Sequence, residues 1–317
     1  MDNITDLDKR VFSSSFLEKI SELALANGMS RTRLIRIKAL VRSCRISPRR
    51  ILQALAFERE RERRAQDSSS RPTAEIPKIR ILYVTHEGDF RLFLNSLQSL
   101  EALRSCHIGD VYVLEDSSKP LSFRNKELLR LNSSNDIQFI RSRFPLADRG
   151  PGLVASELLA FKEIGLKSAK NDYIAKVDSD TLFVSDRAFS AVLTSGADIL
   201  GEREECWSPL VYVQGGCYFL RSGMVPKLFA CPILPVLRRI ARSTWNLTIT
   251  TVPEDAVINE LVVTSHGNPL FLDNLYCPWW RTLTSGDISG TVAHLRKATT
   301  SEYTAFHQVI QAKPALQ

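Results

Sequence analysis

Asp178-Ser179-Asp180 is the stretch of this sequence best suited to chemistry. Before it runs Tyr173–Val177 (YIAKV), of strand length and largely apolar, and apolar residues resume at Leu182-Phe183-Val184. Successive side chains on a strand alternate, so carboxylates at i and i+2 project to the same side. Two like charges that close repel one another unless a cation lies between them. Oxygen ligands suit Mg²⁺ or Mn²⁺, and such an ion can bridge protein carboxylates to a diphosphate.

The elements that must hold this pair are legible from Lys78 onward. Arg80–Thr85 (RILYVT) reads as a buried strand, and Phe93, Leu94, Leu97 and Leu100 give Phe90–Leu103 helical spacing. Strands follow at Val111–Leu114 and Ile137–Ile140, a helix at Leu153–Lys167 and a strand at Tyr173–Val177. Such alternation predicts an α/β fold, a mostly parallel sheet with helices on both faces and ligands at the carboxyl ends of its strands. With 44% hydrophobic and 24% charged residues, 14 Gly and 14 Pro, the 317-residue chain is not mainly disordered, collagen-like or coiled-coil. Its six cysteines are dispersed with no C-x-x-C pair, which argues against a structural zinc site and fits reduced thiols.

Lys78–Val184 resembles the nucleotide-binding half of a GT-A glycosyltransferase, a Rossmann-like fold. Ile81–Leu103 is similar to that fold's first strand and helix, and Val111–Ser118 (VYVLEDSS) to its second-strand motif ending in a nucleoside-binding acid. Ala160–Val184 resembles the helix and strand that deliver its metal-binding D-x-D. The resemblance implies Asp178 and Asp180 at the metal and sugar-nucleotide, with Asp116 and Thr85 at the nucleoside. It continues to about Arg296. Val213–Leu220 (VQGGCYFL) resembles the acceptor-side glycine loop, where Gly215 and Gly216 would let backbone approach the donor sugar. Pro253-Glu254-Asp255 opens a helix like the family's E-D motif. The helix dipole would favour an ionised Asp255, which could deprotonate an acceptor hydroxyl and so favours inversion. His294 falls where many such enzymes place a metal-binding histidine. Lys162, on the helix before the D-x-D, could reach the phosphates, and Trp279-Trp280-Arg281 could line an acceptor groove. The implied activity is metal-dependent transfer from a nucleotide-sugar, UDP-linked by default, to a glycan or glycolipid hydroxyl, with Mn²⁺ or Mg²⁺. An alternative stays open, because Asp178-Ser179-Asp180-Thr181 also spells the D-x-D-x-T of haloacid-dehalogenase-type phosphatases, which normally follows the first strand of its domain.

Residues 1–76 hold 16 basic and 10 acidic side chains, so this segment carries +6 of the net +7. Helical spacing over 14–64, in a segment placed at 1–65, is followed by a linker at 66–77 and by the α/β domain over 78–317. Between Ser30 and Arg50 lie eight Arg or Lys and no acid. They form either a solvated helix face or a contact with anionic membrane, and a non-catalytic binding module is the corresponding alternative function. Phe16–Leu40 has a short similarity to ribbon-helix-helix DNA-binding domains, but nucleic acid is not the expected partner. The longest apolar stretch, Val225–Leu237, is broken by Lys227 and three prolines, and Met1–Arg10 is polar and acidic. The expected place is therefore the cytoplasm, with peripheral contact at the inner membrane face.

Overall fold

The computed structural model describes residues 77–146, 150–204, 210–243, 248–277 and 290–295, together with Glu302 and Phe306. The helices expected over 14–64, the linker as far as residue 76, and Trp279-Trp280-Arg281 lie outside the described residues.

Four strands, β1 (Ile79–Thr85), β2 (Ile108–Glu115), β3 (Ile137–Arg141) and β4 (Tyr173–Asp178), pair in parallel in the order β3-β2-β1-β4. Their residues alternate between two apolar cores: Ile81 and Tyr83 enter one, Leu82 the other. The Tyr83 side is covered by α1 (Phe90–Ala102), α2 (Phe123–Leu131) and α4 (Arg187–Ser195). The Leu82 side is covered by α3 (Pro151–Gly165), α5 (Val225–Ala230), α6 (Ile233–Ser243) and α7 (Glu254–Thr264). A strand buried on both faces needs a nearly continuous apolar run, which is why these segments read so plainly. Helix α2 has no counterpart in the sequence reading, because only Leu129 of it is buried and its apolar stripe is thin.

Beyond β4 the sheet becomes mixed. β7 (Tyr212–Arg221) runs antiparallel to both β4 and β6 (Ile199–Glu204), and β8 (Pro269–Phe271) completes the order β3-β2-β1-β4-β7-β6-β8. The outcome is a seven-stranded, mostly parallel, Rossmann-like α/β sheet flanked by helices, as expected. A small antiparallel pair, β5 (Thr181–Phe183) with β9 (Val292–His294), lies beyond the end of β4. No helix among the described residues is long and apolar enough to cross a membrane.

The register decides where chemistry can happen. Thr85 lies opposite Glu115, Glu115 opposite Arg141, and Val84 opposite Asp178. The carboxyl ends of all four parallel strands therefore meet along one edge, where open α/β sheets bind ligands. Among the described residues β4 is the fourth strand, not the first, unlike the strand that precedes the phosphatase motif.

Candidate active site

Strand β4 ends at Asp178, and Ser179-Asp180 form the turn into β5. The two carboxylates thus converge through a turn, not through strand alternation as the i, i+2 spacing suggested. The third member arrives from far along the chain. Pairing of β5 with β9 sets Thr181 opposite His294, and the Leu295 N–H donates to the Asp180 carbonyl at 2.9 Å. His294 Nε2 then lies 3.1 Å from Asp180 Oδ1 and 3.9 Å from Asp178 Oδ2. One donor atom from each of Asp178, Asp180 and His294 falls within 4.8 Å of the others, a spacing that one cation can span. Two anionic oxygens and an imidazole nitrogen are a donor set that fits a divalent metal.

Gly215 and Gly216, expected in a loop, lie within β7. Val177 pairs with Cys217, so the same register puts Gly216 level with Asp178 and Gly215 just past the end of β4. Their smallness serves side chains arriving from elsewhere. A Cβ on Gly216 would overlap the His294 ring, and one on Gly215 would come within 2.7 Å of Asp255 Oδ2. Tyr276 fixes the same stretch. Its hydroxyl accepts from the Cys217 N–H, and its ring centroid lies 6.1 Å from that of His294.

Behind the carboxylates is a buried charge network that the sequence reading missed. Lys176, 2% exposed, donates to Asp178 Oδ1 at 2.6 Å, the Gly215 carbonyl at 2.7 Å and Glu254 Oε1 at 2.9 Å, with Glu157 Oε1 at 3.8 Å. Burial would lower the Lys176 pKa, but Asp178, Glu254 and Glu157 outweigh it and hold the group as an ammonium. Glu157 is fully buried on α3 and accepts from the Tyr218 hydroxyl at 3.2 Å. Desolvation, then the charges of Glu254 and Asp178, push it well above the carboxylate range. The available signal was a lone charge inside an apolar run: Lys176 in YIAKV and Glu157 in VASELLAF.

Asp178 is raised, chiefly by desolvation, with Lys176 opposing. Desolvation also acts on Asp180, but the hydrogen bond and charge of His294 outweigh it and hold that carboxyl low. Asp255 opens α7 beside Gly215, as the E-D motif implied. The direction of its pKa runs against the expected ionised state: burial first and the Glu254 carboxylate second raise Asp255 above the usual range, against the Ala256 N–H that its Oδ1 accepts at 2.8 Å.

The remaining expected residues separate. Thr85 and Asp116 are both buried, side by side at the ends of β1 and β2, with the Asp116 N–H donating to the Thr85 carbonyl. Asp116 Oδ1 accepts from the N–H and hydroxyl of Ser118, both at 2.7 Å, so one of its oxygens caps its own turn. Lys162 is not brought to the cluster. Its ammonium lies 5.6 Å from the centroid of the Phe229 ring, where α3 meets α5.

No protein-family model matches the sequence, and no curated protein matches it. Solved structures do. The bifunctional glycosyltransferase WbbM is similar over 78% of this chain, at 13% identity and a TM-score of 0.46. The chain covers 52% of that protein, about half its length. The galactosyltransferase LgtC, solved with donor and acceptor sugar analogues, is similar over 75% of this chain and 97% of its own, at 13% identity and a TM-score of 0.48. For mouse xyloside xylosyltransferase 1 the shares are 70% and 98%, with 13% identity and a TM-score of 0.45. At such identities the likeness is one of chain path, and the chemistry must be read from the site itself.

Proposed function

We propose that the protein is a metal-dependent GT-A-type glycosyltransferase that moves a sugar from a nucleotide-sugar to a hydroxyl of a glycan or glycolipid. The observation that carries this reading is the convergence of Asp178, Asp180 and His294 at the carboxyl edge of the parallel strands. Mn²⁺ or Mg²⁺ is the ion in view, and the imidazole favours Mn²⁺, since Mg²⁺ takes oxygen ligands. Such an ion supplies positive charge against the departing diphosphate.

The chain's own residues do the rest. Thr85 and Asp116 contact the nucleoside, UDP being the default. Gly215 keeps the backbone low beside Asp255. Asp255 takes the proton from the acceptor hydroxyl as its oxygen bonds to the anomeric carbon and the carbon–phosphate-oxygen bond breaks, an in-line course that inverts the centre. A raised pKa makes Asp255 a stronger base than an exposed carboxylate once its proton is gone. We place the enzyme in the cytoplasm, with the eight basic residues between Ser30 and Arg50 touching anionic lipid.

The direct assay is release of nucleoside diphosphate from a panel of nucleotide-sugars with Mn²⁺, Mg²⁺ or EDTA. The reading predicts release from one donor class, abolished by EDTA and by Asp178→Ala or Asp180→Ala. Metal-independent release that survives both substitutions would contradict it.

A further inference from the structure

Lys176 has a fixed job that neither the D-x-D pattern nor the E-D pattern describes. An ammonium has three N–H donors, and three oxygens lie within hydrogen-bond distance: Asp178 Oδ1 at 2.6 Å, Gly215 O at 2.7 Å and Glu254 Oε1 at 2.9 Å. All its donors are thus used, and at 2% exposure it does not reach a substrate. Those oxygens come from three elements, β4, β7 and α7, and α3 supplies a fourth through Glu157 Oε1 at 3.8 Å. The bond to Asp178 also divides that carboxylate. Oδ1 belongs to Lys176, while Oδ2 is the oxygen on the His294 side, 3.9 Å from Nε2.

We propose that Lys176 is a positioning residue that clamps Asp178 so that Oδ2 alone faces the cation, and that ties this corner to Glu254 beside the base Asp255. The inference rests on the reading of Asp178, Asp180 and His294 as a metal site. Hydrogen-bond partners that orient metal ligands typically change affinity 10–100-fold when removed. The sign of the effect makes the proposal testable. An ammonium beside a cation site repels the cation, so on charge alone its removal would tighten metal binding. A clamp predicts the opposite.

The test is Mn²⁺ titration of the full chain, following the free-ion signal by electron paramagnetic resonance, for wild type and Lys176→Met. The expected result is a Kd about tenfold higher or more in the variant. An unchanged or tighter Kd overturns the proposal. A wild type that binds no Mn²⁺ overturns the reading of the site and this inference with it, a pattern distinct from the first. A second measurement needs no variant. The protons of a buried, fully engaged ammonium exchange slowly enough to give an ¹⁵Nζ–¹H cross-peak at neutral pH. The clamp predicts that this peak survives saturation with diamagnetic Mg²⁺. Its loss, which would mean that the ion displaces the ammonium, overturns the proposal even if Lys176→Met does not fold.

Discussion

Asp255 carries the sharpest residue-scale consequence. Because burial and Glu254 hold its pKa well above the usual range, the base form is scarce in acid and gains population as pH rises. kcat should therefore rise with pH, and Asp255→Asn should lower it by about 10²–10⁴, the usual contribution of a general base. A pH–rate profile of wild type with no acid limb would count against the assignment. Gly216 tests the metal corner from the other side. A methyl there collides with the His294 ring, so Gly216→Ala should push Nε2 away from Asp180 and weaken Mn²⁺ binding. Overpacking of this kind costs roughly 1–3 kcal/mol of stability, and calorimetric titration beside a urea melt would report both effects.

At the scale of elements, α1 supports the site through β5. Ser99 Oγ accepts from the Phe183 N–H at 2.8 Å, and Ser96 donates to the Thr181 carbonyl, so α1 anchors both ends of β5. Since β5 carries the turn from Asp180 and pairs with the His294 strand, Ser99→Ala should loosen both. Leaving that buried N–H unpaired costs about 1–3 kcal/mol, and Mn²⁺ affinity should fall alongside the urea midpoint. The C-terminal end of α1 has its own tie. Glu101 accepts from Ser133 at 2.5 Å and from Ser134 and Asn135 at 3.1 Å, fixing the connection between α2 and β3. Burial would raise its pKa, but these bonds prevail and hold it below the ordinary value. A depressed carboxylate stabilises the fold above its unfolded pKa and ceases to as pH falls through the folded one. Glu101→Gln should therefore cost on the order of 1 kcal/mol at neutral pH, with solvent exposure keeping the figure modest. The gap from wild type should close below about pH 4, as paired urea melts would show.

Across the whole molecule, what the sequence revealed follows burial. β1 to β4 were legible because both faces are covered and the runs are apolar, whereas α2 escaped because Leu129 is its one buried residue. The carboxylates and the E-D helix start were legible because their local spacing is their signal. Their convergence has no local signal and was implied by the family resemblance alone, because it is made by long-range pairing: β9 brings His294 to Asp180, and β7 brings its glycines to the end of β4. Lys176 and Glu157 were hidden for a related reason. A lone charge in an apolar run has no local meaning until three elements close around it.

On the function proposed, Asp178, Asp180 and His294 would hold a divalent cation shared with a nucleoside diphosphate. The most direct measurement is a thermal-shift series of UDP and other nucleoside diphosphates, with and without Mn²⁺, on wild type and on Asp178→Ala/Asp180→Ala. A ligand that binds the native state raises Tm by mass action, by an amount set by its concentration relative to Kd. Mn²⁺ and one nucleotide together should raise the Tm of wild type, and the double variant should show no such shift. An equal nucleotide shift without metal, or one retained by the double variant, would contradict it.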